Sequence, residues 1–239
     1  MGRKKCLLSF VWEKKFQKLL NIHIQNPKIS AKNFDYVISP NHDNFHGSNV
    51  INSVGALHHF SKLEKSSNPK LLTCIVGGNN QHYRFDTKEA SELCDKLIEI
   101  KKNKIDIKLS IITSRRTSDL VKKILVEKLK DFATIWTGSE KNPYKQSIQN
   151  SSFFIVTSDS TSMISEAAIS GKPIYVYHLA FKRKSRRLSN FHNEFTKLGI
   201  TRDIKNINHL KNWTYNSLNE SERIASIIKK RIIEENIWT

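Results

Sequence analysis

Residues 157–177 read TSDSTSMISEAAISGKPIYVY. The stretch continues an apolar run, Phe153–Val156, and leads to a second one, Pro173–Tyr177, through a short amphipathic helix and a Gly171-Lys172-Pro173 break. An apolar run, a polar turn, a helix and another apolar run are the pattern of a parallel sheet with helical crossovers. The turn is over-supplied with polar groups, because Thr157, Ser158, Asp159, Ser160, Thr161 and Ser162 stand in a row. One Ser, Thr or Asp suffices to cap a helix. The surplus predicts that Ser160, Thr161 and Ser162 hold an anionic ligand at the helix N-terminus.

The same alternation runs upstream. Leu71–Val76 ends in Gly77-Gly78-Asn79-Asn80, and after Asp86-Thr87 the spacing predicts a helix with Ala90, Leu93, Cys94, Leu97 and Ile98 on one face. Ile107–Thr113 ends in Ser114-Arg115-Arg116-Thr117, before a helix with Leu120, Val121, Ile124 and Leu125 inward. Phe132–Trp136 reads as a third strand, and Asn142 with Pro143 opens a short helix ending at Asn150. Residues 70–239 are therefore expected to form a Rossmann-like α/β domain with a parallel sheet of five or six strands. Its closing helix would be capped by Ser217-x-x-Glu220 and bury Ile224, Ile227, Ile228 and Ile232. Residues 1–69, with a strand at Phe34–Ser39, predict only a truncated second α/β half. Ligands of such sheets sit beyond the carboxyl ends of the strands. The Gly-rich and polar residues of this chain fall there.

Composition narrows the partners. Forty Lys and Arg against 22 Asp and Glu give a net charge of +18, which favours anionic partners. The densest basic run, Lys182-Arg-Lys-Ser-Arg-Arg187, has no interleaved aromatics, so specific nucleic-acid binding is not expected. No apolar stretch reaches the roughly 20 residues of a membrane span. The expected location is the cytoplasm, with peripheral contact to an anionic membrane at its inner face. The three cysteines, Cys6, Cys74 and Cys94, read as free thiols in a reducing compartment. No metal site and no cofactor are expected.

Each candidate has a functional and a structural reading. Gly77 and Gly78 would let the backbone approach a phosphate, with Asn79 beside them, or would simply make a turn. Arg115 and Arg116, next to Ser114, would grip a phosphate or form a salt bridge. Tyr144 could stack on a base. His42-Asp43 could supply a general base, although a loop pair of this kind is more often structural.

Five phrases in order resemble one family: FDYVISPNHD (34–43), GSNVINSVGALHH (47–59), SRRT (114–117), NPY (142–144) and the opening stretch. The chain is similar to the bacterial and plant proteins grouped with the plant mitochondrial-fission factor. That resemblance implies a fold like the two-domain GT-B glycosyltransferases, a nucleotide-sugar or similar phosphorylated ligand, and glycosyl transfer as the activity if there is one. It also implies that Glu166 holds the ribose hydroxyls. The alternative it implies is a non-catalytic adaptor that recruits a protein partner at a membrane surface. Family members usually carry an Asp-Gly-Lys-Pro-Gly-His-type segment in a longer N-terminal half. No such segment stands here, and the expectation is either a shortened gene product or a partner sequence that lies elsewhere.

Overall fold

A computed structural model describes residues 19–60, 70–205 and 207–234; Cys6 lies outside them. The chain divides into two compact units, one of Met1–His59 with Asn219–Thr239 and the other of Phe60–Leu218.

In the first unit β1 (Ile22–Ile24), β2 (Tyr36–Pro40) and β3 (Val50–Ser53) form a parallel sheet in that order. Every residue of the central strand β2 is buried, which is why it carries no charged residue. Asn49 secures the turn before β3 by donating to the carbonyls of Ala31 and Phe34 at 2.8 and 2.7 Å.

The second unit alternates without exception. β4 (Leu71–Val76) is followed by α1 (Thr87–Asn103), β5 (Lys108–Thr113), α2 (Asp119–Leu129) and β6 (Ala133–Trp136). Then come α3 (Tyr144–Asn150), β7 (Phe153–Thr157), α4 (Thr161–Ala168), β8 (Ile174–Tyr177), α5 (Arg186–Lys197) and β9 (Thr201–Asp203). The six strands lie in the order β6-β5-β4-β7-β8-β9, and every pairing is parallel. This is the expected Rossmann-like α/β class. The chain builds outward from β4 on one side and then returns to place β7 on the other. That reversal creates a topological switch point at the carboxyl ends of β4 and β7.

The core explains the helix faces. Leu93 and Leu97 of α1 and Val121 and Leu125 of α2 pack with Leu72, Cys74, Leu109 and Ile111 of the sheet. Each such buried aliphatic contributes about 1.5–3 kcal/mol. Asp86 and Glu89 close a reciprocal capping box at the start of α1. One expected inward residue differs. Leu120 is 68% exposed, because α2 begins at Asp119 and its buried stripe is Val121, Leu125 and Leu129. In α1 Ile98 packs partly buried against the core as expected, and Ile100 joins the buried stripe. Cys74 and Cys94 are free and buried, and burial pushes the Cys94 thiol up to about 11.

The last helix, α6 (Glu220–Glu234), groups with the N-terminal strands and not with the sheet it follows. Ile224 is buried against Tyr36, Ile38 and Ile51, with Ile227 and Ile228 beside it. Its cap also departs from the expected box. The Ser217 hydroxyl donates to the Ile169 carbonyl, and Asn219 Oδ1 accepts from the Glu222 N–H at 3.4 Å instead.

Candidate functional site

The polar ends of β4, β5 and β7 meet at one side chain, Asp159. Its carboxylate has no exposed surface. Oδ1 accepts from the Thr157 hydroxyl at 2.6 Å, while Oδ2 accepts from Gly78 N–H at 3.1 Å and Arg116 Nη2 at 2.5 Å. A buried carboxylate without donors would be prohibitively costly. Here two neutral donors and a guanidinium compensate it. Asn80 adds a bond from its amide to the Asp159 carbonyl at 3.1 Å.

The glycines follow from this arrangement. A Cβ on Gly77 would lie 2.1 Å from Asp159 Oδ1, and one on Gly78 would lie 2.0 Å from the Arg116 carbonyl oxygen. Their close approach is thus to the protein's own groups. Thr157 Oγ1 also accepts from Gly77 N–H at 2.8 Å. Thr117 fastens the neighbouring strand end: its hydroxyl lies 2.6 Å from the Gly77 carbonyl and accepts from Ser114 N–H at 2.9 Å. Both groups of the Asn79 amide are bound to Phe85, at 2.9 Å through Oδ1 and 3.1 Å through Nδ2. Ser114 Oγ accepts from Arg116 N–H at 3.2 Å, which sets the turn that carries the two arginines.

The hydroxyl row of the opening stretch divides in two. Thr157, Ser158 and Asp159 are buried and serve the fold. Ser158 Oγ accepts from Leu179 N–H at 3.0 Å, and its carbonyl accepts from His192 Nε2 at 3.0 Å. Asp159 does not cap α4; it turns away from the helix to Gly78 and Arg116. Ser160 is the cap, accepting from Met163 N–H at 3.4 Å. Thr161 is half-buried and Ser162 exposed, and helix geometry leaves their N–H groups without intrahelical acceptors.

Glu166, half-buried on α4, accepts a hydrogen bond from the Tyr144 hydroxyl at the start of α3. Burial, and then the adjacent Glu166 charge, push the Tyr144 phenol above its ordinary range, so it stays a donor. Tyr144 is positioned by Asn142, whose Oδ1 accepts from Tyr144 N–H at 2.9 Å, and the Phe60 ring lies 6.1 Å away. Pro143 stands at the cap and not at the expected first helical position, so α3 begins one residue later than the sequence placed it.

His42 and Asp43 belong to the other unit, on a 3-10 turn after β2. Nε2 of His42 lies 3.9 Å from Asp43 Oδ1, and the two side chains are only 1% and 6% exposed. The sequence analysis assigned no site role to Thr117, Asn80 or Asp159. The signal was present: a lone acid at the end of an all-apolar strand needs donors, and Gly77-Gly78 and Arg116 lie at the neighbouring strand ends.

A family model described as "Mitochondrial fission ELM1" matches residues 1–232. The chain belongs to that family. A relative from Rickettsia prowazekii is 27% identical over 95% of this chain and 77% of its own length. The mitochondrial fission protein ELM1 of Arabidopsis thaliana is 27% identical over 88% of this chain. The chain spans only 57% of that plant protein. Among solved structures, a UDP-GlcNAc 2-epimerase from Neisseria meningitidis bound to UDP-GlcNAc has a TM-score of 0.47. Its identity is 13% over 86% of this chain and 64% of its own. The family expected from the five phrases is thereby confirmed.

Proposed function

We propose that the six-stranded unit binds a nucleotide-sugar or a related phosphorylated ligand over the carboxyl ends of β4, β5 and β7. One observation carries this reading. The buried Asp159 holds the Arg116 guanidinium at the switch point through one nitrogen, while 44% of the Arg116 side chain remains exposed. The open N–H groups of Thr161 and Ser162, and the exposed Arg115, stand on the adjoining turns. Together they suit a diphosphate. Glu166, oriented by Tyr144, suits the vicinal hydroxyls of a ribose.

The reading stops at binding. Asp159 is tied to Gly78 and Arg116 and Glu166 to Tyr144, so neither carboxylate is set up as a base. That favours a ligand-binding adaptor over a transferase as the working role of this chain. Isothermal titration with UDP-, GDP- and CDP-sugars tests the site. For the best ligand, Glu166→Ala should weaken binding by roughly 1.5–3 kcal/mol, about ten- to a hundredfold. Absence of binding to every nucleotide, or equal affinity in the variant, would refute it.

A further inference from the structure

The basic run at 182–187 takes no part in the cluster around Asp159. It lies on the loop leaving β8 and on the first turn of α5. That loop is pinned. Arg84 N–H donates to the Ala180 carbonyl at 2.9 Å and Lys182 N–H to the His82 carbonyl at 2.8 Å. The Phe181 ring stacks on Tyr83 with centroids 4.6 Å apart. The charge is thus displayed from a fixed clasp and not from a loose tail.

Lys182, Arg183, Lys184, Arg186 and Arg187 are all exposed, and Phe181 beside them is 42% exposed. No Asp or Glu occurs from residue 167 to residue 193. Lysines elsewhere pair with acids on their own helices, as in Lys96–Glu99 at 2.9 Å and Lys230–Glu234 at 3.6 Å. The side chains of Lys182, Arg183, Lys184 and Arg186 form no ion pair among the described residues. Arg186 and Arg187 also occupy the first turn of α5, where positive charge opposes the helix dipole. The helix dipole gains nothing from this placement.

We infer that residues 181–187 are a docking surface for an anionic lipid bilayer. The basic side chains lie at headgroup level, and the exposed face of the Phe181 ring enters the interface. Each basic residue held near such a surface raises partitioning about fivefold. A bilayer suits the site better than a nucleic acid strand. Phe181 is the one aromatic among residues 181–187, and stacking successive bases takes several. The inference does not depend on the nucleotide site.

Co-sedimentation tests it, using vesicles of phosphatidylcholine alone and of phosphatidylcholine with phosphatidylglycerol. The full chain should sediment only with the anionic vesicles and be released by salt. Lys182→Glu/Arg183→Glu/Lys184→Glu should cut partitioning by about a hundredfold or more. A control of equal charge change at scattered exposed lysines, Lys102→Glu/Lys130→Glu/Lys197→Glu, should cut it by less than about tenfold. Phe181→Ala should lower partitioning severalfold at every salt concentration. If the Glu triple fails to fold, as judged by circular dichroism, the corresponding Gln triple repeats the test. Equal losses in the two triples would reduce the effect to net charge and overturn the inference. So would sedimentation with neutral vesicles, no sedimentation at all, or loop-dependent capture of a single-stranded oligonucleotide at salt that releases the vesicles.

Discussion

Two carboxylates in this chain are held in nearly the same way, one in each unit. Asp159 accepts from the Gly78 N–H and from Arg116; Glu220 accepts from the Val54 N–H at 2.8 Å and from Arg223. The side chains of both acids are buried, and the two arginines are 44% and 45% exposed. The difference lies in what each arginine has left. Arg223 meets Glu220 with two nitrogens, at 2.7 and 2.6 Å, and spends a further bond on the Asn52 carbonyl at 2.7 Å. Arg116 meets Asp159 with one nitrogen, and its guanidinium makes no other hydrogen bond among the described residues. The first pair is a staple within one helix turn, fastening α6 to the end of β3. The second joins two loops and leaves a fork facing outward. Equal burial therefore does not mean equal purpose, and the unspent donors mark the candidate site.

The largest expected effect separates the two acids. Asp159→Ala strands the Gly78 N–H and the Thr157 hydroxyl, both buried, and should cost about 3–4 kcal/mol of stability. Glu220→Ala strands a partly buried Val54 N–H beside an arginine that water can reach, and should cost about 1–2 kcal/mol. Urea unfolding, with hydrogen exchange read in peptides from β4 and β3, measures each loss in its own unit. Equal costs would show that the glycines, and not Asp159, hold the strand ends together.

A subtler exchange tests the fork. Arg116→Lys keeps a cation near Asp159, so stability should change by less than about 1 kcal/mol, while nucleotide affinity should fall about tenfold as bidentate geometry is lost. Arg223→Lys should do the reverse, losing about 1–2 kcal/mol of stability with ligand affinity unchanged. Wild-type affinity in Arg116→Lys would return Arg116 to the purely structural class that Arg223 occupies.

The sequence was legible where one-dimensional periodicity governs. The bounds of β4 matched the reading, and β5, β6 and β8 begin one residue later than it placed them. The strand ends that carry polar residues were legible too, because apolar runs stop there. What the periodicity could not show was partnership. The isoleucines of α6 announce a buried face without saying which sheet it covers, and the answer is β2 and β3. The same limit applies to Gly77, Gly78 and Asn79. Their types suit a phosphate loop, yet their close contacts are with Asp159, Arg116 and Phe85. Thr201–Asp203 forms a strand three residues long at the sheet edge, too short for any pattern to emerge.

The smallest expected effect concerns acid, and it sets the two units side by side again through their histidines. Burial lowers the pKa of His178, on the loop after β8, with Asp203 opposing that shift and Lys205 adding to it. The His192 ring packs edge-on at 5.1 Å. Burial likewise lowers the pKa of His23 on β1, whose ring lies 4.9 Å from Phe34. A depressed imidazole is neutral in the folded chain at a pH where the unfolded chain already binds the proton. Its contribution is therefore fully present above the ordinary imidazole value of about 6.5 and is lost as pH falls through the folded value. Stability should decline on acidification from about pH 7 to about pH 5, and His178→Gln should flatten part of that decline. His23→Gln should flatten a different part, read in β1 and β2 peptides and not in β7 and β8. Urea midpoints at the two pH values, with hydrogen exchange assigning each loss to its strands, decide the matter. An unchanged slope in His178→Gln would mean that the ring takes up its proton in the folded chain without cost, with Asp203 outweighing its burial.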